Sequence, residues 1–365
     1  MCRALICRDF ISVNIAINFS ILQFILYLLY TVLFIACRIV MDSFKRLSVV
    51  PAVCLAMYAL LSSGHTALLP AAVSGPVPSC MYGSPRTRSL YAAIDSLSSG
   101  LDARVGVAAV FDGGDTLVYD SRPELGAEYP LMSVMKFHQA LAVCDSLRRA
   151  GIPLSAGLDV DPEQLHEDTW SPMRDDHPSG GRFSFAQLLE YTLVQSDNNA
   201  CDILFDYLGE PAAVDAYLRS FGVGDCSIEC TEDMMHKDLS LCYRNVSTPL
   251  SAVLLLEKFY LLRGSDPYYR FLWDTMTACG TGTMRIPRFI SDKAAAIAHK
   301  TGTGDRDARG RIISINDIGV VVLPDGRHFS LAVFVSDAAV PDALCEELIA
   351  EIASLAYMYA VIVGH

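Results

Sequence analysis

A hydroxyl stands three positions ahead of an amine in Tyr129-Pro130-Leu131-Met132-Ser133-Val134-Met135-Lys136-Phe137. On a helix, positions three apart share a face. Pro130 suits the entry to a helix, Val134, Phe137, Leu141 and Cys144 recur at spacings of three and four, and Gly151 marks a stop. Ser133 is therefore predicted in a first helical turn, where unpaired amides and the macrodipole favour negative charge and ease formation of an alkoxide. Lys136, if partly buried near other cations, would release its proton more readily and could take that of Ser133. A capping serine followed by a surface lysine is the plain alternative, so the pair gains meaning only from partners elsewhere.

Two further stretches supply such partners. In Val194-Gln195-Ser196-Asp197-Asn198-Asn199-Ala200, Ser196 offers a hydroxyl able to relay a proton, and Asn198 an amide able to grip a substrate carbonyl and a lysine together. The same residue types also suit a polar cap between two helices. In His299-Lys300-Thr301-Gly302-Thr303-Gly304, at the end of an apolar strand, Gly302 and Gly304 allow close approach to the backbone and Lys300 supplies a fixed charge for a carboxylate. The eight histidines form no HExxH pair and no tight cluster with Cys or Asp, so no metal site is read from them, and no cofactor is expected.

Ser-x-x-Lys, then Ser-Asp-Asn, then Lys-Thr-Gly is the motif set of class A β-lactamases and penicillin-binding proteins, and from about residue 83 onward the chain resembles that superfamily. The resemblance implies an α+β fold, with an antiparallel sheet flanked by helices and an all-helical lobe beside it. Glu232, 36 positions after Ser196 and 68 before Lys300, falls where class A enzymes carry the Ω-loop glutamate that activates water for deacylation. Glu229 and Asp233 are rival carboxylates. By the same resemblance Ser133 attacks the lactam carbonyl, and either Lys136 or Glu232, through a water, removes its proton. The backbone N–H groups of Ser133 and Thr303 hold the oxyanion, and Ser196 passes a proton to the departing nitrogen. Lys300, Thr301 and Thr303, with the close approach allowed by Gly302, receive the substrate carboxylate, and Asn198 its amide side chain. His236 stands where the commoner Glu-x-x-Leu-Asn pattern has Asn, a departure similar to that of the CfxA-type and PER-type branch, as are Tyr243-Arg244-Asn245 and Asn316-Asp317-Ile318-Gly319. His236 or Asn245 is expected to support the Ω loop, and the branch implies a preference for cephalosporins. A penicillin-binding DD-peptidase and a membrane-anchored penicillin sensor remain the alternatives.

Several elements must position these residues. A helix over about Thr87–Leu97 precedes strands at Val105–Phe111 and Thr116–Tyr119, joined across Asp112-Gly113-Gly114-Asp115. Residues 131–279 read as mostly helical, with loops around 159–182 and 226–249. Strands return at Ala296–Lys300, Arg311–Leu323 and His328–Phe334, and a helix closes the chain over Pro341–Ala360. The chain ends thus build a sheet lobe (about 83–125 and 285–365), and the middle (about 126–284) is a helical insertion.

Ahead of this catalytic domain, placed at 68–365, residues 10–40 form an apolar run long enough to cross a bilayer. Residues 41–67 have the layout of a secretory signal peptide, with Lys45-Arg46, an apolar run and cleavage near Ala67. The two are reconciled if translation starts at Met41 and 1–40 is an upstream extension; a retained anchor is the alternative. Either way the catalytic part is exported, with the periplasm as its expected location. Removing residues 1–67 takes five basic and two acidic residues from the 28 and 41 of the whole chain and leaves a net charge of −16, a surface that repels nucleic acid. Of twelve cysteines, eight remain, spread from Cys80 to Cys345, too sparse for a disulfide-stapled scaffold. A small-molecule β-lactam is the expected partner, and a monomer without an obligate protein partner the expected state.

Overall fold

The computed structural model describes residues 85–363, all within one compact unit, Val77–His365. The expected leader, the apolar run at 10–40 and Cys80 lie outside the described residues. Helix α1 (Arg88–Ser98) leads into strands β1 (Arg104–Phe111) and β2 (Thr116–Asp120). Their turn takes φ of +95° and +91° at Gly113 and Gly114, which L side chains resist. A two-residue strand, β3 (Tyr129–Pro130), precedes α2 (Met135–Ala150), β4 (Gly157–Val160), α3 (Pro172–Asp176) and β5 (Gly181–Ser184). Helices α4 (Phe185–Val194), α5 (Asn198–Leu208) and α6 (Ala212–Ser220) follow. Next come β6 (Cys226–Ser227), α7 (Glu232–Lys237), β7 (Val246–Ser247), α8 (Pro249–Leu262) and α9 (Pro267–Thr277). The chain returns through β8 (Ala296–Thr303), β9 (Ile312–Val322) and β10 (His328–Ala338) to α10 (Asp342–Val363).

The five long strands form one antiparallel sheet in the order β2-β1-β10-β9-β8, so the first strands pair with the last and close the fold across its full sequence length. Val105, Val107, Ala109 and Phe111 face one side with Leu331, Val333 and Val335, against Ile94 of α1 and Leu348, Ile349 and Ile352 of α10. Ala108, Ala298, Ala332 and Phe334 face the other side, against the helices. Both faces being covered, these strands are near-continuous apolar runs, and each fully buried Leu, Val or Phe contributes about 1.5–3 kcal/mol.

Helix α2 is the axis of the helical lobe. Every residue from Met135 to Asp145 is buried, so the helix is enclosed on all sides and its one-sided apolar repeat understates its burial. Gly151 ends it in the left-handed conformation at φ +66°, the expected stop. Its start differs from the expectation. Pro130 lies in β3, paired with Val246 of β7, and Ser133 occupies a separate 3₁₀ turn, Met132–Val134, that leads into α2. The stretches read as loops at 159–182 and 226–249 also contain short elements, because β4 pairs with β5 and β7 bridges β3 and β6.

Candidate active site

Strand β8 and the Ser133 turn meet at glycine. A Cβ on Gly302 would lie 2.5 Å from the carbonyl oxygen of Leu131 and 3.2 Å from Met132 Cβ, so only glycine lets the strand pass this close. From the adjacent strand, buried Asn316 donates through Nδ2 to the carbonyls of Pro130 (2.8 Å) and Leu131 (3.1 Å). Met132 is held at φ +50°, a conformation that costs energy and persists because its surroundings fix it. The nucleophile candidate thus sits on a turn clamped by the sheet from one side and by α2 from the other.

Lys136, fully buried on the first turn of α2, reaches back to Ser133. Its Nζ donates to Ser133 Oγ (3.1 Å), to the backbone oxygen of Ser196 (2.8 Å) and to Asn198 Oδ1 (2.5 Å), and forms an ion pair with Glu232 Oε1 at 2.9 Å. Ser133 Oγ in turn donates to Glu232 Oε1 at 3.3 Å. The serine proton therefore points at the carboxylate, while the amine donates to the oxygen that must become the nucleophile. Removing two charges from water costs several kcal/mol per ion, so this buried pair is poor stability engineering and is better understood through its chemistry.

Ser196 stands between the two lysines. Its backbone is in the left-handed region at φ +58°, and its Oγ accepts from Lys300 Nζ (2.9 Å) and Lys136 Nζ (3.4 Å). The neighbouring Asp197 does cap α5, accepting from Ala200 N at 2.8 Å and Met173 N at 2.6 Å, so the motif serves structure and site together. Asn198 donates to Thr169 Oγ1 at 2.7 Å, which fixes its amide orientation. Lys300 is completely buried, and burial first, then the charge of Lys136, lowers its pKa to about 8. Among the described residues no carboxylate pairs with it, so an incoming anion would relieve its isolation. Thr301 Oγ1 lies 2.7 Å from Thr281 Oγ1, and exposed Thr303 accepts from Arg285 Nη2 at 2.7 Å.

The Glu232 segment is tied down from two sides. Asp202 on α5 accepts the N–H of Glu232 and of Asp233, both at 2.8 Å, and burial followed by the Glu232 charge raises its pKa to about 7. Asn245, wholly buried, accepts the N–H of Glu229 (2.8 Å) and Cys230 (2.9 Å) and donates to Cys230 O (2.9 Å) and Met135 Sδ (2.9 Å). It stitches the loop to α2 one residue from Lys136. His236 is not part of this support: it is exposed and has no hydrogen-bond partner among the described residues. One helical turn past Glu232, it lies beyond the part of α7 that faces Ser133, and Met235 turns inward instead. Of the rival carboxylates, exposed Glu229 pairs with Arg244 and Asp233 pairs with Lys237 at 2.7 Å, so neither approaches Ser133. Asn245→Ala leaves the N–H groups of Glu229 and Cys230 without their acceptor, and for the buried one of Cys230 this costs about 1–3 kcal/mol. The expected result is a clear drop in thermal midpoint with faster proteolysis between residues 229 and 245; an unchanged midpoint would remove Asn245 from this role.

The structure thus brings together Ser133, Lys136, Ser196, Asn198, Glu232, Lys300, Thr301, Gly302 and Thr303, and leaves His236 outside. Reading the sequence missed Asp202, Thr169, Thr281 and Arg285. Buried Arg285 also donates to the carbonyls of Gly302 (3.0 Å) and Asn316 (2.9 Å). An acidic residue set among Ala200, Cys201, Ile203 and Leu204 was the available signal for Asp202; an arginine in a turn carries none. Trp170, 63% exposed, is bound through Nε1 to Gln195 O and through its carbonyl to the N–H of Asn198, so it stands at the rim.

Comparison with known proteins agrees with this geometry. The profile described as "Beta-lactamase enzyme family" matches residues 90–360. A β-lactamase of Bacteroides uniformis is 37% identical over 269 residues, covering 72% of this chain and 88% of that protein. The extended-spectrum β-lactamase PER-1 of Pseudomonas aeruginosa is 34% identical over 272 residues, covering 73% and 85%. The crystal structure of a class A β-lactamase from Bacteroides cellulosilyticus superimposes with a TM-score of 0.70 at 35% identity, over 75% of this chain and 98% of that one. Because the match runs through both lobes and every motif that meets around Ser133, the chain belongs to the beta-lactamase enzyme family, as a class A serine β-lactamase.

Proposed function

We propose that this β-lactamase opens its substrate's ring by attack of Ser133, with Glu232 as the proton acceptor in acylation and as the base that activates water in deacylation. The observation that carries this reading is the direct hydrogen bond from Ser133 Oγ to Glu232 Oε1, with Lys136 Nζ within reach of both. Lys136 then holds the developing alkoxide and the carboxylate together, a fixed positive charge in a site shielded from water. Ser196, between Lys136 and Lys300, hands a proton to the departing nitrogen. The substrate carboxylate meets Lys300, Thr301 and Thr303, with Arg285 adding a second cation behind Thr303. The N–H groups of Ser133 and Thr303 hold the oxyanion, and Asn198 the substrate's amide side chain.

Cephalosporins are the preferred substrates in this reading, which is supported by the likeness to the extended-spectrum β-lactamase PER-1. The order of Lys45-Arg46, apolar run and small residues before Ala67 supports export to the periplasm, where a monomer works alone. One experiment tests these readings together. The full-length chain is expressed, the periplasmic fraction is collected, and kcat/KM is measured for a chromogenic cephalosporin and for benzylpenicillin. Sustained turnover with a higher value for the cephalosporin is expected; a burst of one equivalent without turnover would favour a penicillin-binding protein.

A further inference from the structure

The turn that carries Ser133 is fixed by groups that make and break no bonds in the reaction. Leu131 N donates to the backbone oxygen of Asn245 at 2.8 Å, which ties the start of the turn to the loop that holds Glu232. From the sheet, Asn316 Nδ2 donates to the adjacent carbonyls of Pro130 (2.8 Å) and Leu131 (3.1 Å), so both hydrogens of its amide are engaged on this one segment. The other end of the amide is occupied as well, because Ser314 Oγ donates to Asn316 Oδ1 at 2.6 Å. A donor at that oxygen decides which end of the amide faces the carbonyls. Ser314 and Asn316, both wholly buried, stand two apart on β9 and share a face of the strand. Met132, between the held carbonyls and Ser133, is at φ +50°, a state that such a residue keeps only while its neighbours hold it.

The backbone of Asn316 fixes the opposite wall of the cleft at the same level. Asn316 pairs with Gly302 of β8, and Arg285 Nη1 donates to the carbonyls of both, at 2.9 and 3.0 Å. Gly304 N donates to Ser314 O at 2.8 Å, so by the alternation of an antiparallel ladder the N–H of Thr303 points away from β9, towards the open edge of the sheet. One residue thus spaces the Ser133 turn from the Thr303 edge, its backbone registering the strand and its side chain holding the turn. We propose that Asn316, oriented by Ser314, is a positioning residue for acylation: it sets where the Ser133 hydroxyl stands relative to β8 and to the carbonyl it attacks. Asn316 transfers no proton and acts only through the turn. A misplacement of reacting groups by 1 Å costs about a hundredfold in rate. The role rests on the reading of Ser133 as the nucleophile.

The test uses the full-length chain and a chromogenic cephalosporin. It measures kcat/KM, which reports the steps up to acylation, the competitive Ki of the hydrolysed product, which fills the cleft without being attacked, and the folded fraction by circular dichroism. Asn316→Ala should lower kcat/KM about a hundredfold while the chain stays folded and the product Ki moves by no more than about twofold. Ser314→Ala should lower kcat/KM about two- to tenfold, the span of one hydrogen bond, and it carries the test alone where Asn316→Ala does not fold. A loss matched by an equal fall in folded fraction, or by an equal rise in Ki, would make the role merely structural and overturn the proposal. A folded Asn316→Ala chain at the native kcat/KM would overturn it too. Ser314→Ala at the native value would overturn the orienting part given to Ser314 and, where it stands alone, the whole. Ser133→Ala in the same assay separates the proposal from the reading beneath it. Turnover retained by Ser133→Ala removes Ser133 as nucleophile, whereas an inactive Ser133→Ala beside an unimpaired Asn316→Ala removes the positioning role alone.

Discussion

Ser133→Ala is expected to lower kcat for any β-lactam by roughly five to six orders of magnitude, the scale seen when a serine nucleophile is removed from an assembled site. The substituted chain should also add no mass on incubation with substrate, because no acyl-enzyme can form. The fold should survive. Lys136 loses one of its acceptors but keeps Ser196 O, Asn198 Oδ1 and Glu232, so no buried charge is stranded. Unfolding by denaturant should shift by no more than about 1 kcal/mol. Residual turnover within a hundredfold of the parent, in a folded protein, would mean that another group is the nucleophile.

Glu232→Gln is expected to separate the two half-reactions. A general base contributes about a hundred- to ten-thousandfold, and deacylation, which needs an activated water, should fall by about that much. Acyl-enzyme should then accumulate to one equivalent, visible as a burst and as added mass. Acylation carries the sharper information. If Lys136 takes the Ser133 proton, its rate should change little; if Glu232 does, as the 3.3 Å hydrogen bond from Ser133 Oγ supports, acylation should slow as well while staying measurable. Because the substitution also removes the countercharge of fully buried Lys136, it should destabilise the chain, and breaking such pairs costs about 3–5 kcal/mol. Normal steady-state turnover by the Gln variant would make a different carboxylate the base.

Part of this protein could be read from the order of its residues. The apolar runs read as strands at 105–111, 311–323 and 328–334 were legible because both sheet faces are covered, and Gly113-Gly114 announced the turn after the first of them because positive φ is nearly reserved to glycine. Ser133, Lys136, Ser196, Asn198 and Lys300 were legible as motifs because each chemistry is carried by side chain types at short, fixed spacing along the chain. Pro130 misled, because a residue suited to a helix entry is equally suited to a short strand, and the pairing with Val246 decided between them.

What the tertiary structure alone decided is which distant groups converge. Asp202 reaches the amides of the Glu232 helix, Arg285 reaches Thr303, and Asn316 holds the carbonyls before Ser133 through contacts with backbone or with residues far along the chain. Backbone amides and carbonyls are the same at every position, so bonds to them leave no mark in a sequence. His236 was misjudged for the related reason that position in a motif does not say how far along a short helix the contacts reach: one turn past Glu232 it is already exposed. Residue types and spacing determined which chemistry this chain possesses; the packing of α2, α5, α7 and β8 around one hydroxyl decided which atoms can perform it, because proton transfer depends on distances of about 3 Å that only the folded chain defines.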